Sequence, residues 1–296
     1  MPTRIASDGL RARENGEWAV TKLRFLDKFG PPAIDATRRK RRRVFVDLFG
    51  GPGLNIDPRS GAEFPASSLR VLQMTGAQHP DLAFTDAVLV NLNRLDHRAL
   101  ETRVGRLLDS GASRIPRDCI RVLRNDANGI LDVLLADYHR LDYLWVFADL
   151  EAPRQFPFSS VEALRGRGHE SVDLYALFPL EMGILRLTSY QSRELDRYAS
   201  ILTPFFGTDE WRGIVERRMT SGTDRVNACR RELEELYVRQ LRRQWQFVER
   251  VCEVRTTGRR GLYRMLFATD HEAGKNIAQW AKRHCAQDAG QGDFGL

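Results

Sequence analysis

Residues 44–53 read VFVDLFGGPG, an apolar run closed by an acid, Asp47, and followed by Phe49, Gly50, Gly51, Pro52 and Gly53. Glycine tolerates positive φ and lets backbone approach a ligand closely, so such a loop at a strand end can cradle a small molecule. The spacing is neither G-x-x-x-x-G-K-[ST] nor G-x-G-x-x-G, which excludes a P-loop and a dinucleotide fingerprint. A tight structural turn between a strand and a helix is the alternative. Acids also close later apolar runs: Asp126, before Ala127 and Asn128, and the pair Asp149 and Glu151 in the stretch Asp149-Leu150-Glu151-Ala152. Asp149 and Glu151 so placed can orient or deprotonate a reacting group, or simply be solvated in a loop. Asp173 and Arg186 complete the expected rim, and Arg186 can meet an acidic substrate or a phosphate. Cys119, Cys229, Cys252 and Cys285 form no C-x-x-C pair, and the six histidines show no H-E-x-x-H spacing. Neither a metal centre nor a disulfide framework is predicted.

The elements that would position these residues alternate. Residues 16–29 carry Trp18, Leu23, Phe25, Leu26 and Phe29 at helical spacing, and Gly30-Pro31-Pro32 is expected to stop that helix. Strands are predicted at RVFVDLF, AFTDAVLVNL, CIRVLRND, YLWVFADL and SVDLYALFP, with helical patterns between them. Strands alternating with helices give right-handed βαβ units and a doubly wound, mostly parallel α/β sheet of Rossmann-like type. From about residue 190 the chain becomes charged and helical, including LRRQWQFVER, predicted as a helix with one buried face and one basic face that could receive a partner. LYRMLFAT follows as a strand, then a terminal helix. Three parts are expected: 1–43, an N-terminal helix and basic connector; 44–190, the α/β core; and 191–296, a helical elaboration returning a strand to the core.

The 296 residues carry 46 Lys plus Arg against 39 Asp plus Glu, a formal charge of +7. The excess is concentrated in Arg38, Arg39, Lys40, Arg41, Arg42 and Arg43, a run that can neutralise nucleic-acid phosphates or serve as a solvated connector. Seven aromatics of the last third, Phe205, Phe206, Trp211, Tyr237, Trp245, Phe247 and Tyr263, could stack on bases, though at helical spacing they fit a core better. No stretch approaches the roughly 20 apolar residues of a membrane span. The polar N-terminus lacks a signal-peptide segment, so a cytoplasmic protein is expected.

A strand-terminal acid, an aromatic and then GGPG is the form of S-adenosylmethionine-binding loops, with the acid accepting from the cofactor's amino group and Gly51 and Gly53 leaving room for its amino-acid part. The segments WAVTKLRFLDKF, VFVDLFGGPG, SSLRVL, RNDANGILDVLL, SVDLYALFPLEMGILR, PFFGTDEW and GLYRMLFATDHEAGKNIAQW follow in this order. The sequence thereby resembles the three-Cys-motif partner proteins, bacterial and phage proteins with a class I methyltransferase-like domain, from about residue 16 to about 282. The family's name refers to a neighbouring, radical-S-adenosylmethionine-like protein with three cysteines.

The resemblance implies a class I methyltransferase fold, S-adenosylmethionine as cofactor and that protein as partner. It implies a cofactor site of Asp47, Phe49, Gly50, Gly51, Gly53, Asn91, Asp126 and Ala127, with Asp126 accepting from the adenine amino group or capping a helix. Two positions depart from the pattern. Asn91 stands where an acid normally grips both ribose hydroxyls, a loss on the order of 1–3 kcal/mol. The loop Asp149–Ala152 lacks the usual proline and glycine, which leaves Asp149 as the first candidate for catalysis and Glu151 as the second. Three functions follow: methyl transfer to an unknown acceptor such as nucleic acid, a methyltransferase-shaped scaffold that has lost catalysis, or a nucleic-acid binder whose glycine loop is structural.

Overall fold

The computed structural model describes residues 2–166, 168–187, 195–220, 225–255 and 261–288. The chain begins with β1 (Thr3–Ile5), β2 (Arg11–Glu14), α1 (Glu17–Ala36), β3 (Arg43–Asp47), β4 (Leu54–Ile56), β5 (Glu63–Pro65) and α2 (Ser67–Leu72). It continues through β6 (Asp86–Asn91), α3 (Arg94–Asp109), β7 (Ile120–Arg124), α4 (Ala127–Ala136), β8 (Tyr143–Ala148), α5 (Phe158–Gly166) and β9 (Ser171–Phe178). The last third holds α6 (Leu185–Leu187), α7 (Leu195–Phe206), α8 (Trp211–Thr220), α9 (Arg225–Leu241), β10 (Phe247–Arg255), β11 (Gly261–Thr269) and α10 (Glu272–Asp288).

Seven strands form the main sheet in the order β10-β11-β9-β8-β3-β6-β7. The five from β9 to β7 are parallel, and β11 alone runs antiparallel to both its neighbours. That order, with the reversed strand next to the edge, is the class I methyltransferase arrangement of the Rossmann-like α/β fold. Val44, Phe45 and Val46 of the central strand are wholly buried, as expected where helices cover both faces of a parallel sheet. On one face Phe25 and Phe29 of α1 meet Tyr175, Trp145 and Phe267 at centroid distances of 4.5–6.2 Å. On the other, Phe178 stacks on Phe205 and Tyr237.

Two expectations are corrected. Helix α1 does not stop at Gly30 but passes through Pro31 and Pro32 to Ala36. The prolines lack the N–H groups that would bond the carbonyls of Asp27 and Lys28, and a proline inside a helix costs about 3 kcal/mol in all, ring clash included. Phe25, Leu26, Phe29, Ala33 and Ile34 are nevertheless at most 3% exposed, and burying large apolar side chains at roughly 1.5–3 kcal/mol apiece outweighs that loss. The segment LRRQWQFVER is not a helix: α9 ends at Leu241, and from Phe247 the chain is a strand paired with β11. Trp245 is buried in the turn, its Nε1–H donating to the Val172 carbonyl at 2.7 Å. Of the seven aromatics considered for base stacking, six are buried in the core; Phe247 is half-buried, with the Lys275 ammonium over its ring at 4.6 Å.

A second sheet, β1-β2-β4-β5, was not foreseen. The residues before α1 form a hairpin whose second strand pairs parallel with β4, the strand leaving the glycine loop, so that Arg13 stands beside Asn55. Buried Arg103 of α3 fastens it, donating to both Asp8 oxygens at 2.8 Å and to the Arg11 and Pro52 carbonyls at 2.7 Å. Among the described residues, no helix is long and apolar enough to cross a membrane.

Candidate functional site

Parallel strands place their carboxyl ends on one edge, where α/β proteins bind ligands. Beyond β3, β6, β7 and β8 that edge opens into a cavity of about 630 Å³, within the usual range for a small-molecule site. Its floor is the start of the glycine loop, fixed because Leu48 N–H donates to the Phe147 carbonyl and Gly50 N–H to that of Val90, both at 3.0 Å. Gly51 and Gly53 take positive φ of 58° and 84°, a conformation a side chain would strain. A Cβ at Gly51 would also lie 3.2 Å from Arg13 Nε.

The predicted residues separate into groups. Phe49, Asn91, Asp126, Ala127 and Glu151 all line the cavity. Gly50, Gly51 and Asp149 line a neighbouring recess of about 20 Å³, which shares Phe49 and Arg13 with the cavity. Asp47, Gly53 and Arg186 line neither space.

Asp47 is therefore corrected as a direct ligand contact. It is wholly buried and accepts from the hydroxyls of Ser67 at 2.7 Å and Ser68 at 2.8 Å, and from Phe49 N–H at 3.2 Å. Its side chain faces the start of α2, so it braces the loop from behind. Burial pushes its pKa up to about 6 against the opposing pull of the two serine hydroxyls, and the charge of Asp149 adds to the rise. Gly53 is excluded by position too, since the chain there turns onto Leu100 and Leu69.

Asn91 is not merely a weakened acid. Its Nδ2–H donates to the Gly51 carbonyl at 2.9 Å, tying the end of β6 to the glycine loop, a bond that a carboxylate cannot make. Asp126 occupies the N-cap position of α4 without any side-chain cap bond. Its exposed carboxylate, touched only weakly by Asn128 at 3.4 Å, is left to the cavity. Glu151 pairs with Arg13 at 3.0 Å, and its loop is held by Gln155, whose Oε1 accepts from the Glu151 and Ala152 N–H groups at 2.5 and 2.9 Å.

Asp173 is not at the rim. It is buried at the opposite end of the sheet, where the Tyr143 hydroxyl donates to it at 2.9 Å and desolvation raises its pKa to about 7. The basic run also occupies that far end, before β3. There Arg41 pairs with Asp142 at 3.2 Å, Arg42 with Asp86 at 3.3 Å, and buried Arg43 donates to the Ala83 carbonyl. Exposed Arg186 stands away from both spaces.

Sequence reasoning missed Arg11 and Arg13, which β2 brings over the cavity, and buried Lys22 of α1, which pairs with Asp149 in the recess. The one local signal was the alternation in RARE, with Ala12 inward and the arginines outward. Nothing in the sequence linked these positions to the glycine loop. Among the described residues no group of His, Cys, Asp or Glu could hold a metal ion, and none of the four cysteines is in a disulfide.

No family model matches the chain, and no curated protein does. Among solved structures, the Legionella pneumophila protein LPL1258, of the DUF519 family, superposes with a TM-score of 0.51 at 9% identity, covering 91% of each chain. A putative Escherichia coli methyltransferase, yhhF, matches at TM-score 0.33 and 14% identity, over 61% of this chain and 83% of that one. A Thiobacillus denitrificans S-adenosylmethionine-dependent methyltransferase, solved with S-adenosyl-L-homocysteine, matches at TM-score 0.32 and 13% identity, over 86% and 98%. At 9% identity the likeness to LPL1258 concerns the fold alone.

Proposed function

We propose that this chain binds S-adenosylmethionine in the cavity at the sheet's carboxyl edge and transfers its methyl group. The carrying observation is that Phe49, Asn91, Asp126 and Ala127, from three separate strand ends, line one cavity of suitable size. The donor set fits the cofactor. Asp126 presents a carboxylate for the adenine amino group, Asn91 keeps its side-chain oxygen for a ribose hydroxyl, and Arg11 and Arg13 offer guanidinium groups to a carboxylate. Once bound, the cofactor supplies a methyl group already activated on a sulfonium, so the protein's task is largely orientation. Glu151 and Gln155 hold the loop beside the site, and Asp149, next to Gly50 and Gly51, is the residue we assign to the acceptor.

The test is calorimetric titration with S-adenosylhomocysteine. Micromolar binding is expected, reduced at least about tenfold in Asp126→Ala and abolished in Gly51→Val, where strained φ and the Arg13 side chain oppose the added methyls. A folded protein that does not bind would overturn the reading. It would favour a scaffold, for which the Lys22–Asp149 pair within the recess is the specific support. In either case the three-cysteine protein is the proposed partner, and co-purification of the two chains checks it.

A further inference from the structure

Resting on the methyl-transfer reading, we infer that the recess beside the glycine loop receives the acceptor, and that the acceptor is the exocyclic amino group of a nucleobase. Two oxygens there have no hydrogen-bond partner. Asp149 accepts from Lys22 through Oδ2, while its Oδ1 is buried and unpartnered. Asn15, 4% exposed, donates through Nδ2 to Asn55 Oδ1 at 2.5 Å and through its backbone N–H to the Ile56 carbonyl, leaving Oδ1 buried and unpartnered as well.

A buried polar atom without a partner is costly and marks a place where a ligand group belongs. Both atoms are acceptors, so a single group that satisfies the two must donate two hydrogens. A hydroxyl offers one and a keto oxygen none, whereas an amino nitrogen offers two. The recess, at about 20 Å³, has room for one group of that size.

What carries the amino group follows from the walls. Phe49 and Arg13 line both the recess and the larger cavity, an aromatic face and a guanidinium between which a flat ring can stack. In the step itself the amino nitrogen's lone pair forms the new N–C bond while the C–S bond breaks, its electron pair staying on sulfur, which becomes a neutral thioether. The nitrogen, now positive, releases one hydrogen as a proton to Asp149 and thence to solvent.

The test compares affinities of labelled single-stranded 12-mers by fluorescence anisotropy at saturating S-adenosylhomocysteine. Oligo(dC) is set against oligo(dU), and oligo(dA) against oligo(dI), each pair differing by amino versus keto. At least one amino member should bind about tenfold or more tightly than its keto partner. That preference should fall to within about twofold in Asp149→Ala. Because Asp149→Ala removes the carboxylate that pairs with buried Lys22, the double variant Lys22→Met/Asp149→Leu, which removes both charges, is measured beside it. Equal affinities within both pairs, or no binding of any strand, would sink the inference, and the wild-type comparison decides this without any variant. Calorimetry scores the cofactor separately. S-adenosylhomocysteine binding with equal strand affinities overturns the acceptor alone, whereas no binding overturns methyl transfer and this step with it.

Discussion

Asn91 shows how a residue's neighbours change its meaning. By type alone it is a lost acid, and restoring Asp should tighten cofactor binding. In the structure its amide donates to the Gly51 carbonyl, and a carboxylate there would oppose one acceptor with another. Asn91→Asp is therefore expected to weaken S-adenosylhomocysteine binding about three- to thirtyfold, as calorimetry would show; a gain in affinity would refute the loop-tying role. Asp47 gives a pH-dependent case. Its folded pKa of about 6 lies above the ordinary carboxylate value of 3.8, so between these values the native state holds a proton that the unfolded chain has lost. Its contribution is most favourable below about pH 4, is lost as pH rises through 6, and is flat above 7. In Asp47→Asn this slope disappears. Relative to wild type, the variant should gain on the order of 3 kcal/mol between pH 4 and pH 7.5 in urea unfolding. Asp173, untouched in both proteins, cancels from the comparison.

At the scale of elements, the parallel strands were legible because uninterrupted apolar runs such as Val44–Val46 mean burial on both faces whatever the context. The small sheet was not, because three- and four-residue strands carry little periodic signal and exist only by pairing across the chain. Much of its anchorage runs through one side chain, beside the pairs of Arg11 and Arg13 with Asp96 and of Arg13 with Glu151. Removing Arg103 by Arg103→Leu deletes four hydrogen bonds to Asp8, Arg11 and Pro52. The expected cost is roughly 2–4 kcal/mol, with faster amide hydrogen exchange over residues 3–14 than in the wild type. Protection unchanged in that hairpin would show that its strand pairing suffices without the arginine. The path of α1 through Pro31 and Pro32, and the strand in place of a basic helix after Trp245, have the same cause. Local preference yields when a long-range partner buries more surface than the preference is worth.

For the whole molecule, strand polarity separates two functions the sequence invited one to combine. The basic run precedes β3 and the glycine loop follows it, so five residues of strand put them at opposite ends of the sheet. Neutralising Arg38, Arg39 and Arg41 to Gln should leave S-adenosylhomocysteine affinity within about twofold. Any non-specific nucleic-acid binding through the run should lose salt dependence by roughly 0.7–0.9 in log–log slope per phosphate contact removed. A large fall in cofactor affinity would show that the two ends communicate.

The sequence by itself determined the alternation of strands and helices and the parallel core, because periodicity is a local property, while the family resemblance supplied Phe49, Asn91, Asp126 and Ala127 as cofactor candidates. Tertiary structure alone decided that Asp47 turns inward to Ser67 and Ser68, that Lys22 meets Asp149 across 127 positions of chain, and that Arg11 and Arg13 cover the cavity. Those outcomes depend on which segments pack together, and the burial energy that selects the packing is summed over the whole core rather than written at any one position.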